Sequence, residues 1–335
     1  MQRRTATALS LGLVLPAALA GGVYGLMRLQ SMRLRQAFDD DVAAAAVPQQ
    51  SRLVDLSAPH SRALEDVDGD TEHLPALAVI GDSWLAGIGV GRRRRTPAML
   101  IARGLAALTG QQVRLRSTAQ AGARADDILS QVNSILADPL LRRSRIGAQP
   151  PRYAVIAMGS ADVIHPITGS IGLPVLTTAL NRLQREGGYR VIVLTCPNLG
   201  SLPGIPQPLR TQLRRSSRVL AGSQWMLAVS AGALPMSLNT VLSGTTKQSL
   251  IRTDGRYPTA LGYAQLAAAV IQRITVDLEL PQTVTEDPET RPSWPAELDE
   301  EPQAAEEAQS SAEEADSAEE TDPTEDAHRT KETHP

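Results

Sequence analysis

The stretch Leu74-Pro75-Ala76-Leu77-Ala78-Val79-Ile80-Gly81-Asp82-Ser83-Trp84 decides the fold. Its apolar run is short and unbroken, which suits a strand buried on both faces. The run ends in Gly-Asp-Ser, so a serine hydroxyl is presented on a tight turn past the strand's carboxyl end. Ligands of open α/β sheets bind outside those ends, and a serine there is placed to act as a nucleophile.

The pattern repeats outward from this point. Strands are expected at 77–80, 113–117, 153–158 and 190–195, and helices at 97–108, 126–136, 173–184, 208–220 and 260–274. Gly110, Gly187 and Gly188 fall where helices should stop before the next strand. Strand–helix alternation over about 200 residues argues a parallel sheet with helices on both faces, within residues 74–276.

The flanks differ from this body. Arg3 and Arg4 precede an uncharged apolar stretch, residues 5–27, about as long as the roughly 20 residues that cross a bilayer. Ala18-Leu19-Ala20 before Gly21 fits a signal-peptidase site, whereas the apolar character continuing through Val23, Tyr24, Leu26 and Met27 fits an uncleaved anchor. Either reading places residues 1–28 in the membrane or the export route. Residues 29–73 have no sustained period and read as a linker. From Pro281 onward 18 acidic residues face 3 basic ones, so this tail carries −15 and the rest of the chain +12. Residues 277–335 cannot bury a core and are expected to be disordered.

Composition narrows the chemistry. Cys196 is the single cysteine, which excludes an intramolecular disulfide and a cysteine-built metal site. The five histidines, His60, His73, His165, His328 and His334, contain no pair at helical ligand spacing, so no metal, and no other cofactor, is expected. Nothing points to nucleic acid as a partner. The run Arg92-Arg93-Arg94-Arg95 suits either a solvated loop or a surface for anionic headgroups and wall polymers. Trp84 suits either a pocket wall or the core.

Four blocks in order give residues 74–276 a resemblance to the SGNH, or GDSL-type, hydrolases. They are Gly81-Asp82-Ser83; Ala119-Gln120-Ala121-Gly122-Ala123-Arg124; Gly159-Ser160-Ala161-Asp162; and Asp254-Gly255-Arg256-Tyr257-Pro258 running on to Leu261-Gly262-Tyr263. The resemblance implies a three-layer α/β/α, flavodoxin-like fold with a central parallel sheet. It also implies ester or acyl hydrolysis through an acyl-serine, with a small ester, lipid or acylated glycan as partner. By the same resemblance Ser83 is the nucleophile, Asp254 a member of the triad, Gly122 an oxyanion donor and Asp162 the anchor of the third block.

Two positions depart from the family's pattern. Ala161 stands where it places an asparagine, and Tyr257 where it places the histidine. One lost oxyanion donor costs about 3–4 kcal/mol of transition-state stabilisation. A lost triad base costs on the order of a million-fold in rate, and the two losses do not simply add. Tyrosine titrates near 10, so at neutral pH Tyr257 is a donor and not a base. His165, three positions after Asp162, is either a surrogate base or a structural or substrate-contact residue. Three readings follow: an envelope esterase acting through Ser83, a pseudoenzyme whose pocket only binds, or an interaction protein working through its acidic tail.

Overall fold

A computed structural model describes residues 3–45, 50–56, 61–67, 69–143, 149–165, 172–242, 247–253 and 255–279, with side chains from residue 21 on apart from Arg93, Lys247 and Gln248. The acidic tail from Pro281, and Asp254 of the fourth block, lie outside the described residues.

The strands in chain order are β1 (Gln50–Val54), β2 (Arg62–Ala63), β3 (Ala76–Gly81), β4 (Val113–Ser117), β5 (Arg152–Ala157), β6 (Arg190–Thr195) and β7 (Leu234–Ser237). The helices are α1 (Arg3–Ala44), α2 (Ser83–Ala86), α3 (Pro97–Thr109), α4 (Ala125–Ala137), α5 (Ser160–Ile164), α6 (Leu173–Arg185), α7 (Leu209–Ser230), α8 (Leu238–Val241), α9 (Lys247–Leu250) and α10 (Ala260–Glu279). The strands form one sheet in the order β2-β1-β4-β3-β5-β6-β7. β4, β3, β5, β6 and β7 run parallel, while β1 and β2 extend the β4 edge antiparallel. Counting only the parallel strands, the order is the 2-1-3-4-5 of a flavodoxin-like sheet. Its switch point, where ligands collect, falls between β3 and β5.

The unbroken apolar runs of β3, β5 and β6 follow from burial on both faces. Along β3, Leu77 and Val79 point to one core and Ala76, Ala78 and Ile80 to the other. The first core is closed by α3 and α10, through Ile101, Leu105, Leu266 and Val270. The second is closed by α4 and α6, through Ile128, Val132, Leu180 and Leu183, with Ala228 of α7 at its side. Gly110 ends α3 in the left-handed conformation (φ 66°), its N–H donating to Ala106 O at 2.9 Å.

The expected linker is a correction. Residues 29–73 supply the carboxyl half of α1 and both antiparallel strands. β1 pairs along its whole length with β4, Gln50 opposite Ser117 and Val54 opposite Val113, and buries Leu53 and Val54. Its sequence has no clean alternation, and the partner that orders it, β4, lies about 60 residues away. The carboxyl half of α1 is ordered by a third cluster at the strand tips, where Phe38 packs with Ile88, Ile164, Leu209, Leu213 and Tyr257. Among the described residues no helix is long and apolar enough to cross a membrane. The side chains of residues 5–20, most of the expected span, lie outside the described residues.

Candidate active site

The site grows from the end of β3. Gly81 adopts φ 149°, and a Cβ there would sit 2.1 Å from the carbonyl oxygen of Ala157 on β5, so only glycine lets the two strand ends close. Asp82 follows as N-cap of α2, its carboxylate accepting from Trp84 N–H at 3.1 Å and from the hydroxyl of Ser160. Burial pushes the Asp82 carboxyl up to about 6, against these hydrogen bonds, which favour its charged form. Asp82 therefore ties the first block to the third. Trp84 lies in the core and does not wall the site.

Ser83 opens α2 and is buried. Its Oγ accepts from the Gly122 N–H at 2.8 Å. Gly122 adopts φ 76°, which turns that amide toward the serine. Tyr257 stands beside Ser83 in the same cavity, its phenol interacting with the serine hydroxyl. Burial pushes the Tyr257 phenol up, more than its interaction with Ser83 lowers it, so at neutral pH it stays protonated and cannot serve as a base. Asp162 accepts from the Ala125 N–H at 3.2 Å, fastening the third block to the second. Ala161 lines the cavity and brings no side-chain donor.

The Ser83 cavity holds only about 40 Å³, room for roughly one water. Gly122, Ser160, Ala161, His165 and Tyr257 line it together with Ser83. Its roof is α1. Phe38 meets the Tyr257 ring edge to face, centroids 5.5 Å apart and planes at 72°. Val42 stands over Gly122, and Asp41 pairs with Arg256. Asp39 Oδ1 lies 3.3 Å from His165 Nε2. The serine, the Gly122 amide, the tyrosine and the histidine are thus brought to one cavity; the position of Asp254 lies outside the described residues.

Three groups of residues at this site were not singled out from sequence. Gln131 of α4 clamps the nucleophile turn, accepting from Gly81 N–H at 2.7 Å and donating to Gly81 O at 3.1 Å. Gln224 of α7 does the same between the ends of β6 and β5, accepting from Cys196 N–H at 2.7 Å and donating to Met158 O at 2.9 Å. A signal existed for both: each is a polar residue inside an apolar stripe, Ile128-Gln131-Val132-Ile135 and Leu220-Gln224-Ala228. The third group, Phe38, Asp39, Asp41 and Val42, had no local signal. Cys196 is buried with its thiol pushed up by desolvation, which makes it packing and not a nucleophile.

This geometry agrees with the comparisons. A GDSL-like esterase of Mycobacterium tuberculosis is 31% identical over 212 residues, 61% of this chain and 64% of that protein. The chain is a homologue of that GDSL-like esterase. It spans less than two thirds of that esterase's length. No protein-family model matches it. Two solved structures are also similar. A lipase/acylhydrolase from Enterococcus faecalis is 20% identical, covers 62% of this chain and 100% of its own, and gives a TM-score of 0.45. A psychrotrophic esterase from Pseudoalteromonas is 14% identical, covers 61% and 99%, and gives 0.47. In this chain the α/β sheet carries three of the four sequence blocks at strand ends, with the described part of the fourth against them.

Proposed function

We propose that this SGNH homologue acts on acyl esters through Ser83, at the membrane or beyond it. The observation that carries the reading is the 2.8 Å bond from the Gly122 N–H to Ser83 Oγ. It sets an amide donor beside the nucleophile, where an oxyanion would form on attack. In this reading His165 takes the Ser83 proton. Both its ring nitrogens lack a hydrogen-bond partner among the described residues, and Asp39 Oδ1 lies 3.3 Å from Nε2. The apolar stretch of residues 5–27 supports a position at the membrane, as an anchor or an export signal. The substrate class is an ester, a lipid or an acylated glycan, by analogy with the esterase relative.

A second reading, a pocket that binds without turnover, is favoured by one observation: the side chain standing beside Ser83 where the family keeps its base is a phenol that stays protonated. Nitrophenyl butyrate separates the two. Turnover that disappears in Ser83→Ala, and falls at least a hundred-fold in His165→Ala, is the outcome expected for the first reading. Equal rates with and without Ser83 would remove it. Tyr257→His restores a base where the family keeps one and is expected to raise turnover in either case.

A further inference from the structure

A second cavity among the described residues is larger than the one around Ser83. It is a groove of about 600 Å³ between α1 and α7, within the range of small-molecule sites. Its walls are Leu34 of α1, Met158 and Val163 at the tip of β5 and in α5, and Leu213 and Leu220 of α7. Ile164 lines both this groove and the Ser83 cavity, so one side chain is their common wall. Gly159 makes the floor possible: at φ 104° a Cβ would meet Leu220 Cδ2 at 2.6 Å. Val219, on the outer wall, is an apolar side chain left 66% exposed.

We propose that this groove holds the acyl chain of the ester whose carbonyl meets Ser83. The assignment rests on the proposed Ser83 chemistry for its orientation and on the groove's own walls for its ligand class. Ser31, Arg35, Asp162, Gln212, Arg215 and Ser216 also line the groove, but its exposed surface is mainly apolar, so a glycan would leave most of its hydroxyls unpaired, which is costly. A hydrocarbon chain needs only apolar area. The lining runs from Leu209 to Leu220 along α7. At 1.5 Å per helical residue, and roughly 1.2 Å per bond of extended chain, that length takes about a dozen carbons. α1 supplies the opposite wall, held by Arg35 Nε donating to Ile164 O at 2.9 Å and by Gln30 donating to Gln207 O at 2.8 Å. The helix that narrows the Ser83 cavity thereby creates the chain-binding groove.

The test uses full-length Ser83→Ala protein titrated with dodecanoate by calorimetry, so that binding is read without turnover. Saturable binding is expected, with butyrate failing to compete. Val219→Glu and Ser216→Trp, both at exposed positions on the groove wall, are each expected to weaken it at least about ten-fold. Circular dichroism melts confirm that both variants fold. Absence of saturable binding, or binding unchanged in both variants, overturns the assignment. Turnover of nitrophenyl butyrate by the unmodified protein is read separately. Dodecanoate binding without turnover sustains the groove and removes the chemistry; turnover without dodecanoate binding removes the groove and sustains the chemistry.

Discussion

At the scale of single residues, the nucleophile turn is over-determined. Gly81→Ala forces a methyl group against the Ala157 carbonyl, a backbone atom that cannot swing away. It is expected to cost at least about 3 kcal/mol in urea unfolding, from overpacking and positive-φ strain together. Gln131→Ala strands the buried Gly81 N–H, a loss of roughly 1–3 kcal/mol, while the Gly81 carbonyl keeps the Gln120 N–H at 3.0 Å. Asp82 leaves a signature in pH. Its carboxyl titrates at about 6 in the folded protein against 3.8 for the free group. Between those values the folded state holds the proton that the unfolded state has released, so stability falls as pH rises through this window. The full effect is roughly 3 kcal/mol, and it is in place above pH 6. Asp82→Asn is expected to flatten stability against pH between about 4 and 6, measured by urea midpoints.

At the scale of elements, α1 decides access. Its contacts with Tyr257, Gly122, His165 and Arg256 all lie on the rim of the Ser83 cavity. Phe38→Ala removes the largest of them and is expected to loosen α1 by up to about 3 kcal/mol. Two measurements check it: Ser83 should react faster with a fluorophosphonate probe, while the main thermal transition moves by only a few degrees. Elements inside the sheet were legible from sequence because each carries its own periodicity. β4 and β6 span the residues expected for them, and α3 begins at its Thr96–Pro97 start signal. β1, β2, β7 and the docked half of α1 were not. Their order comes from partners distant in the chain, and their own residues carry no period that announces it.

At the scale of the whole molecule, the two cores on either face of the sheet contain no residue of α1. A chain beginning at residue 46 is therefore expected to unfold cooperatively, with a lowered melting temperature from loss of the third cluster. Calorimetry that showed no cooperative transition would place α1 in the folding core instead.

The sequence by itself determined four parallel strands, the two covered faces of their sheet and the serine at the switch point. Those follow from local apolar runs and from glycines whose backbone conformation no other residue adopts cheaply. It also determined what was absent, since Ala161 and Tyr257 are identities and need no coordinates. Only the tertiary structure decided what surrounds that serine. Tyr257 faces Ser83 as a protonated donor, His165 meets a carboxylate from a helix more than 120 residues earlier, and α1 both roofs the site and walls the neighbouring groove. Such contacts join residues far apart in the chain, and a period of two or 3.6 residues carries no record of which distant face a side chain will meet.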